Sequence, residues 1–335
     1  MISFTLSLIA LLLGYFLYGR FVESVFKPDS RPTPAIAKAD GVDFMVLPGW
    51  KIFMIQFLNI AGTGPIFGAI MGAKFGPAAY LWIVFGCIFA GAVHDYLSGM
   101  LSVRHGGVGL PELVGYYLGD NTKKVMLVFT VLLLVMVGAV FVYSPSIILG
   151  DLTHWNVMLW VAVIFIYYII ATMMPIDKII GKVYPLFAFS LLFMAGALLV
   201  MLFVKWPSIP ELWEGLPGEA LTPKSVFPCL FITIACGAIS GFHATQSPLM
   251  ARCVKSEHQG RPIFYGAMIT EGIVALIWAT VAMFFFYDQP TPGYEQIAGG
   301  AAALNDAPSI VTIISKDWLL AAGSILALLG VVAAP

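Results

Sequence analysis

Charge is what this sequence has least of: acidic and basic side chains make up 10% of its 335 residues, while 60% are hydrophobic. Soluble domains carry about a quarter charged residues, so this scarcity excludes an ordinary water-solvated globule. Ten-residue segments of alternating polarity are missing too, which argues against a membrane barrel. A net charge of −1 with no basic face gives nucleic acid nothing to bind, so no nucleic-acid partner is expected. Cys87, Cys229, Cys236 and Cys253 have no metal-ligand spacing. Cys229 and Cys236 would lie about 10 Å apart along one helix, too far for a disulfide, and all four read as small packing residues. No metal or cofactor is expected. A membrane enzyme working through His94 and Asp95 lacks any nucleophile, base and oxyanion set to support it.

Long apolar runs are what the chain has instead. They fall at 2–19, 52–72, 78–98, 125–148, 157–173, 183–204, 226–250, 263–287 and 318–335, each about long enough to cross a hydrocarbon core of about 30 Å. The expected class is an all-α integral membrane protein with about nine transmembrane helices. Basic residues test this order. Thirteen fall in one set of alternate loops, from Arg20, Lys27 and Arg31 through Arg104 and Lys178 to Arg252, Lys255 and Arg261; only Lys74, Lys205, Lys224 and Lys316 fall in the other. The positive-inside rule then puts the N-terminus outside. Without a basic leader or a small-residue cleavage site, the first run reads as a retained span.

The expected organisation is an extra N-terminal helix at 1–19, a cytoplasmic connector at 20–51, a five-helix repeat at 52–204, an outer loop at 205–225 and an incomplete second repeat at 226–335. The connector "KPDSRPTPAIAKADGVDFMVLPGW" favours turning backbone. Residues 288–317 suit short interfacial or re-entrant helices. The chain ends "ILALLGVVAAP", inside an apolar run, which reads as a C-terminally truncated bundle.

Two spans carry a built-in break: the second, "NIAGTGPIFG", and the seventh, "ACGAISGFHATQSP". Five spans separate them, so they run in opposite directions, as an inverted repeat requires. Proline removes a donor and glycine tolerates unwound backbone. Backbone groups freed in lipid need partners, and a substrate or ion supplies them. Small-xxx-small spacing at Gly64, Gly68 and Gly72 also suits close helix packing. Polar content favours a site: Asn59, Gly62, Thr63, Gly64 and Pro65 at the first break, and Gly237, Ser240, Gly241, His243, Thr245, Gln246 and Ser247 at the second. These are the candidate substrate-binding residues.

The charged and histidine side chains within spans are His94, Asp95, His243 and Glu271, and there is no lysine or arginine. Each acid costs about 2.5–3.5 kcal/mol at a helix centre, so each marks a functional site or a buried pair. Glu271, near mid-membrane, is a candidate proton carrier. His94 and Asp95, toward the cytoplasmic end of their span, either anchor the loop or join the proton-coupling set. Lacking an intramembrane cation, the site favours a small monocarboxylate or a polar molecule of little net charge.

The segments "RPTPAIAKADGVDF" (31–44), "NIAGTGPIFGAIMGAKFGP" (59–77), "FAGAVHDYLSGMLSVRHGG" (89–107) and "ACGAISGFHATQSPLMARC" (235–253) resemble the signatures of the carbon starvation protein A (CstA) family. The resemblance implies a bacterial inner-membrane transporter for nutrient scavenging, associated with uptake of peptides and of pyruvate, with protons as coupling ion. It also implies a leucine-transporter-like inverted-repeat bundle, and family members that continue past the equivalent of Pro335 with a segment facing the first break. A pyruvate/proton symporter is the leading reading. Peptide uptake is the alternative substrate reading; a channel with carbonyl-lined breaks, or a nutrient-binding starvation sensor, belongs to another class.

Overall fold

The apolar runs fold as helices because only intrachain hydrogen bonds satisfy the backbone in lipid. The computed structural model describes residues 1–173, 180–214, 226–287, 307–308, 310–315 and 318. Its main elements are α1 (Ile2–Phe26), α2 (Gly49–Ile60), α3 (Thr63–Phe75), α4 (Ala78–Arg104), α5 (Leu110–Leu118), α6 (Asp120–Thr153), α7 (Val157–Thr172), α8 (Ile180–Lys205), α9 (Val226–Thr233), α10 (Ala235–Ala238), α11 (His243–Ala251) and α12 (Glu257–Phe285).

The chain is a multi-pass helical membrane protein. Five described helices are long and apolar enough to cross a bilayer, and six if α2 and α3, bent by 46°, make one span. This is fewer than the nine expected. The run at 157–173 is a 16-residue helix; that at 226–250 is divided among α9, α10 and α11. Residues 319–335, all of 215–225 and most of 288–317 lie outside the described residues. The first helix continues past Arg20 to Phe26. It does so because its charged end has a partner: Arg261 Nε donates to Glu23 Oε2 at 2.7 Å.

Burial sorts the helices. α12 is central, packed against α1, α2, α3 and α4, with Trp278 and Leu276 fully buried. Thr280 on α12 meets Tyr80 Oη of α4 at 2.9 Å. The 34-residue α6 is peripheral and turns Leu132, Val135 and Met136 outward, the apolar surface a lipid-facing helix presents. Three helices contain a π-helical turn: Gly14–Tyr18 in α1, Cys87–Gly91 in α4 and Arg261–Tyr265 in α12. They meet at Ile88. Tyr265 Oη donates to the Ile88 carbonyl at 3.0 Å, and a Cβ on Gly14 would sit 2.6 Å from the Ile88 side chain. Such turns are frequent at functional sites.

Below the bundle the connector forms a strap. Thr33 Oγ1 donates to the Val254 carbonyl at 2.6 Å, the Leu47 amide to the Cys253 carbonyl at 3.2 Å and Lys38 Nζ to the Gly106 carbonyl at 2.8 Å. Arg104 donates to both oxygens of the fully buried Glu257, at 3.1 and 3.0 Å, and the Asp29 amide adds a third bond at 3.0 Å. At the chain's start, Glu211 takes the Met1 ammonium and the amides of Ile2 and Ser3. Burial pushes its carboxyl up, but these donors outweigh burial and hold it at about 2.

Candidate functional site

At the first break the α2 helix ends at Ile60, Gly62 turns the chain, and α3 restarts at Thr63. Asn59 Nδ2 donates back to the Ile55 carbonyl at 2.8 Å, so its amide closes the turn before the break. Thr63 is buried, and its hydroxyl has no hydrogen-bond partner among the described residues. The second break lies between α10 and α11. Ser240 there adopts a left-handed conformation (φ 53°), which costs about 1–2 kcal/mol for a residue with a side chain. Its hydroxyl is buried and also lacks a partner among the described residues.

The breaks face each other. A Cβ on Gly64 would sit 2.8 Å from the Cys236 side chain, so only glycine allows α3 and α10 this approach. Gly237 stands 3.8 Å from the Cα of Pro65 by the same measure and against Ala275 of α12. Glycines 64 and 237 therefore make the contact between the breaks. Gly241 is exposed, and Thr245 and Gln246 are half-buried on α11; Thr245 Oγ1 donates to the Phe242 carbonyl at 3.3 Å.

A buried polar cluster spans α2, α4 and α11. Asp95, fully buried, accepts at Oδ1 from the Gln56 amide at 2.8 Å and from the Ser247 hydroxyl. The same Gln56 nitrogen also donates to Ser247 Oγ at 3.0 Å. Asp95 Oδ2 has no hydrogen-bond partner among the described residues and lies 3.7 Å from His243 Nε2, which lacks one as well. On its other edge, His243 Nδ1 stands 3.4 Å from Nδ1 of His94, a residue exposed at the surface of α4. Asp95 thus reaches inward to the broken-helix region, while the end of α4 is held further down by the pair Arg104 and Glu257.

Glu271, on α12, is fully buried, and both its oxygens are without partners among the described residues. Its electrostatic neighbours are Asp95, Cys87 and Cys236. The structure therefore brings together Asp95, His243, Ser247 and His94, with Glu271 in electrostatic range. Gln56 is the participant the sequence reading missed. The available signal was its place one turn before Asn59 in an apolar run, on the same side of α2. No group of three or more His, Cys, Asp or Glu side chains among the described residues is arranged to hold a metal ion.

Known proteins now give this geometry its setting. The model of the carbon starvation protein CstA family matches residues 1–153 and 144–322. The chain belongs to the CstA family. Within reach of that family, an uncharacterized membrane protein of Haemophilus influenzae (strain Rd) is 44% identical over 91% of this chain and 96% of its own length. The peptide transporter CstA of Bacillus subtilis (strain 168) is 29% identical over 82% of this chain and 57% of its own. The pyruvate/proton symporter BtsT of Escherichia coli (strain K12) is 26% identical over 84% of this chain and 49% of its own. The chain thus spans about half the length of these two transporters. No solved structure matches it.

Proposed function

We propose that this CstA-family chain is a secondary active transporter of the bacterial inner membrane that imports pyruvate or a similar small carboxylate together with protons. What carries the reading is a set of buried polar atoms, at and around the two breaks, that have no hydrogen-bond partner among the described residues: Thr63 Oγ1, Ser240 Oγ, Asp95 Oδ2, His243 Nε2 and both oxygens of Glu271. Each such orphan costs about 1–3 kcal/mol, a cost that a bound substrate or proton removes. The relative named a pyruvate/proton symporter supports the substrate and the coupling ion.

In this reading the two breaks, from Asn59 to Pro65 and from Gly237 to Ser247, cradle the substrate. The N-terminal turns of α3 and α11 present unpaired backbone donors toward a carboxylate, in place of an intramembrane cation. Glu271, Asp95 and His94 form the proton-coupling set. The N-terminus lies outside, the strap lies in the cytoplasm, and the breaks belong to inverted repeats that rock around the site. Transport, rather than covalent chemistry, is the activity.

Peptide uptake is the second reading, favoured by the names of several relatives. The test is uptake of labelled pyruvate against a labelled dipeptide into proteoliposomes holding the full chain, under an inward proton gradient. Pyruvate accumulation that an uncoupler abolishes is the expected result. Dipeptide accumulation replaces the substrate, flux without saturation replaces the transporter with a channel, and binding without flux makes it a nutrient sensor.

A further inference from the structure

We infer that His94 and His243 form a two-imidazole relay that carries the coupling proton between the exposed edge of α4 and the buried carboxylate of Asp95. The inference rests on the proton-coupled reading above and gives it a path.

The two oxygens of Asp95 are not equivalent. Oδ1 is occupied by donors from Gln56 and Ser247. This leaves Oδ2, which faces His243 Nε2 at 3.7 Å, as the oxygen that takes up a proton. Shortening by about half an ångström brings that pair to hydrogen-bond distance. A fixed Oδ1 makes this transfer specific: Gln56 and Ser247 are positioning residues that hold the carboxylate with its open oxygen toward the imidazole. His243 is fully buried, out of reach of bulk solvent, so its proton needs a second partner. His94 is that partner, 3.4 Å away through the two Nδ1 atoms, with its ring exposed.

On release, Asp95 Oδ2 gives its proton to His243 Nε2, and His243 passes the proton on its Nδ1 to Nδ1 of His94. His94 in turn yields the proton on its Nε2 to water. One proton moves from Asp95 to the edge of α4, Asp95 is left ionised, and each ring changes tautomer; the same steps run backwards protonate Asp95. No oxidant or co-reactant is needed. Imidazole suits the task because each ring accepts on one nitrogen while donating from the other.

Other titratable groups on elements packed against α4 and α11 do not offer this route. Glu271 on α12 is buried and has no hydrogen-bond partner among the described residues through which to pass a proton. Cys87 Sγ donates to the Met268 carbonyl and Tyr265 Oη to the Ile88 carbonyl. Arg104 with Glu257, and Glu23 with Arg261, are paired at the cytoplasmic end. Glu112 of α5 is held by Lys123 of α6 at 3.9 Å, and Tyr117 of α5 contacts His105. Lys51 at the start of α2 lies over the Trp50 ring.

The test uses the full chain in proteoliposomes with a pH-sensitive dye inside, so that pyruvate and proton influx are read together. His94 is exposed apart from its contact with His243, so His94→Ala opens no cavity in the core. The expected result is a fall of about 100-fold in pyruvate-coupled proton influx, the scale of a positioned proton-transfer group. Added imidazole then restores influx in proportion to its concentration, which a structural role for His94 would not produce. Unchanged influx in His94→Ala overturns the relay, and so does a loss that imidazole fails to rescue. If the unmodified chain takes up pyruvate with no proton, the transport reading itself is wrong at the coupling ion and the relay falls with it; the two failures are thereby told apart.

Discussion

Glu257 and Glu271 both lie on α12 and are both fully buried, yet the fold treats them in opposite ways. Glu257 receives two bonds from Arg104 and one from the Asp29 amide, with Arg31 3.6 Å away. Glu271 has no partner for either oxygen among the described residues. Burial of a carboxylate is tolerable when its charge is matched and its lone pairs are filled. Glu257 meets both conditions and ties the connector to α4 and α12. Glu271 meets neither, which is why it is proposed for the proton-coupling set. The pair shows that two equally buried acids on one helix can differ completely in how many of their bonds are satisfied among the described residues.

The comparison can be broken most sharply at Arg104. Arg104→Ala leaves Glu257 buried with its main counter-charge gone, and removal of one partner of a buried pair costs about 3–5 kcal/mol. Thermal unfolding of the purified protein should show that loss, with little protein left in the membrane. An unaltered midpoint would mean that Glu257 is not the structural acid of the two. Glu271→Gln gives the converse: because no bond is lost, thermal stability should stay within about 1 kcal/mol of the parent. Proton-driven accumulation of pyruvate should disappear, and an unchanged pH dependence of uptake would remove Glu271 from the coupling set.

Thr63→Val and Gln246→Ala sharpen the contrast at the breaks. Loss of a substrate hydrogen bond of about 1–3 kcal/mol lowers uptake by about tenfold or more, while membrane insertion is retained. Normal uptake by both would move the cradle elsewhere. The smallest effect concerns Glu211, a paired acid outside the spans. Its carboxyl is held at about 2 rather than 4.5, so the stability it contributes is complete above pH 4.5 and is lost as pH falls toward 2. Glu211→Gln should therefore be less stable than the parent at neutral pH, with the gap closing over that acid window; a gap independent of pH would show that the ammonium pair contributes nothing.

The breaks were legible because glycine and proline act locally. The bend at Gly62 and the interruption at Ser240 fall where "AGTGP" and "AISGF" place them. The role of His94 and Asp95 was not legible. Their depth in the span left both loop anchoring and proton coupling open, since nothing in the local sequence says which residue lies across the helix interface. The span count was less readable: five or six of the described helices are long and apolar enough to cross a bilayer, and the 226–250 run, whose break was expected, is divided among α9, α10 and α11.

Composition, apolar run length and turn residues are properties of short stretches, and they determined the membrane class, the helical architecture and the position of both breaks. The Asp95 cluster is of another kind. Asp95 bonds Gln56 across 39 positions and Ser247 across 152. His94 meets His243 across 149. Which of a few polar side chains become neighbours depends on how three helices rotate and cross, and that is set by packing around α12 and by the close approach at Gly64 and Gly237. Only the tertiary structure decided that the acid of one motif, the histidine of another and an unremarked glutamine share a single buried site.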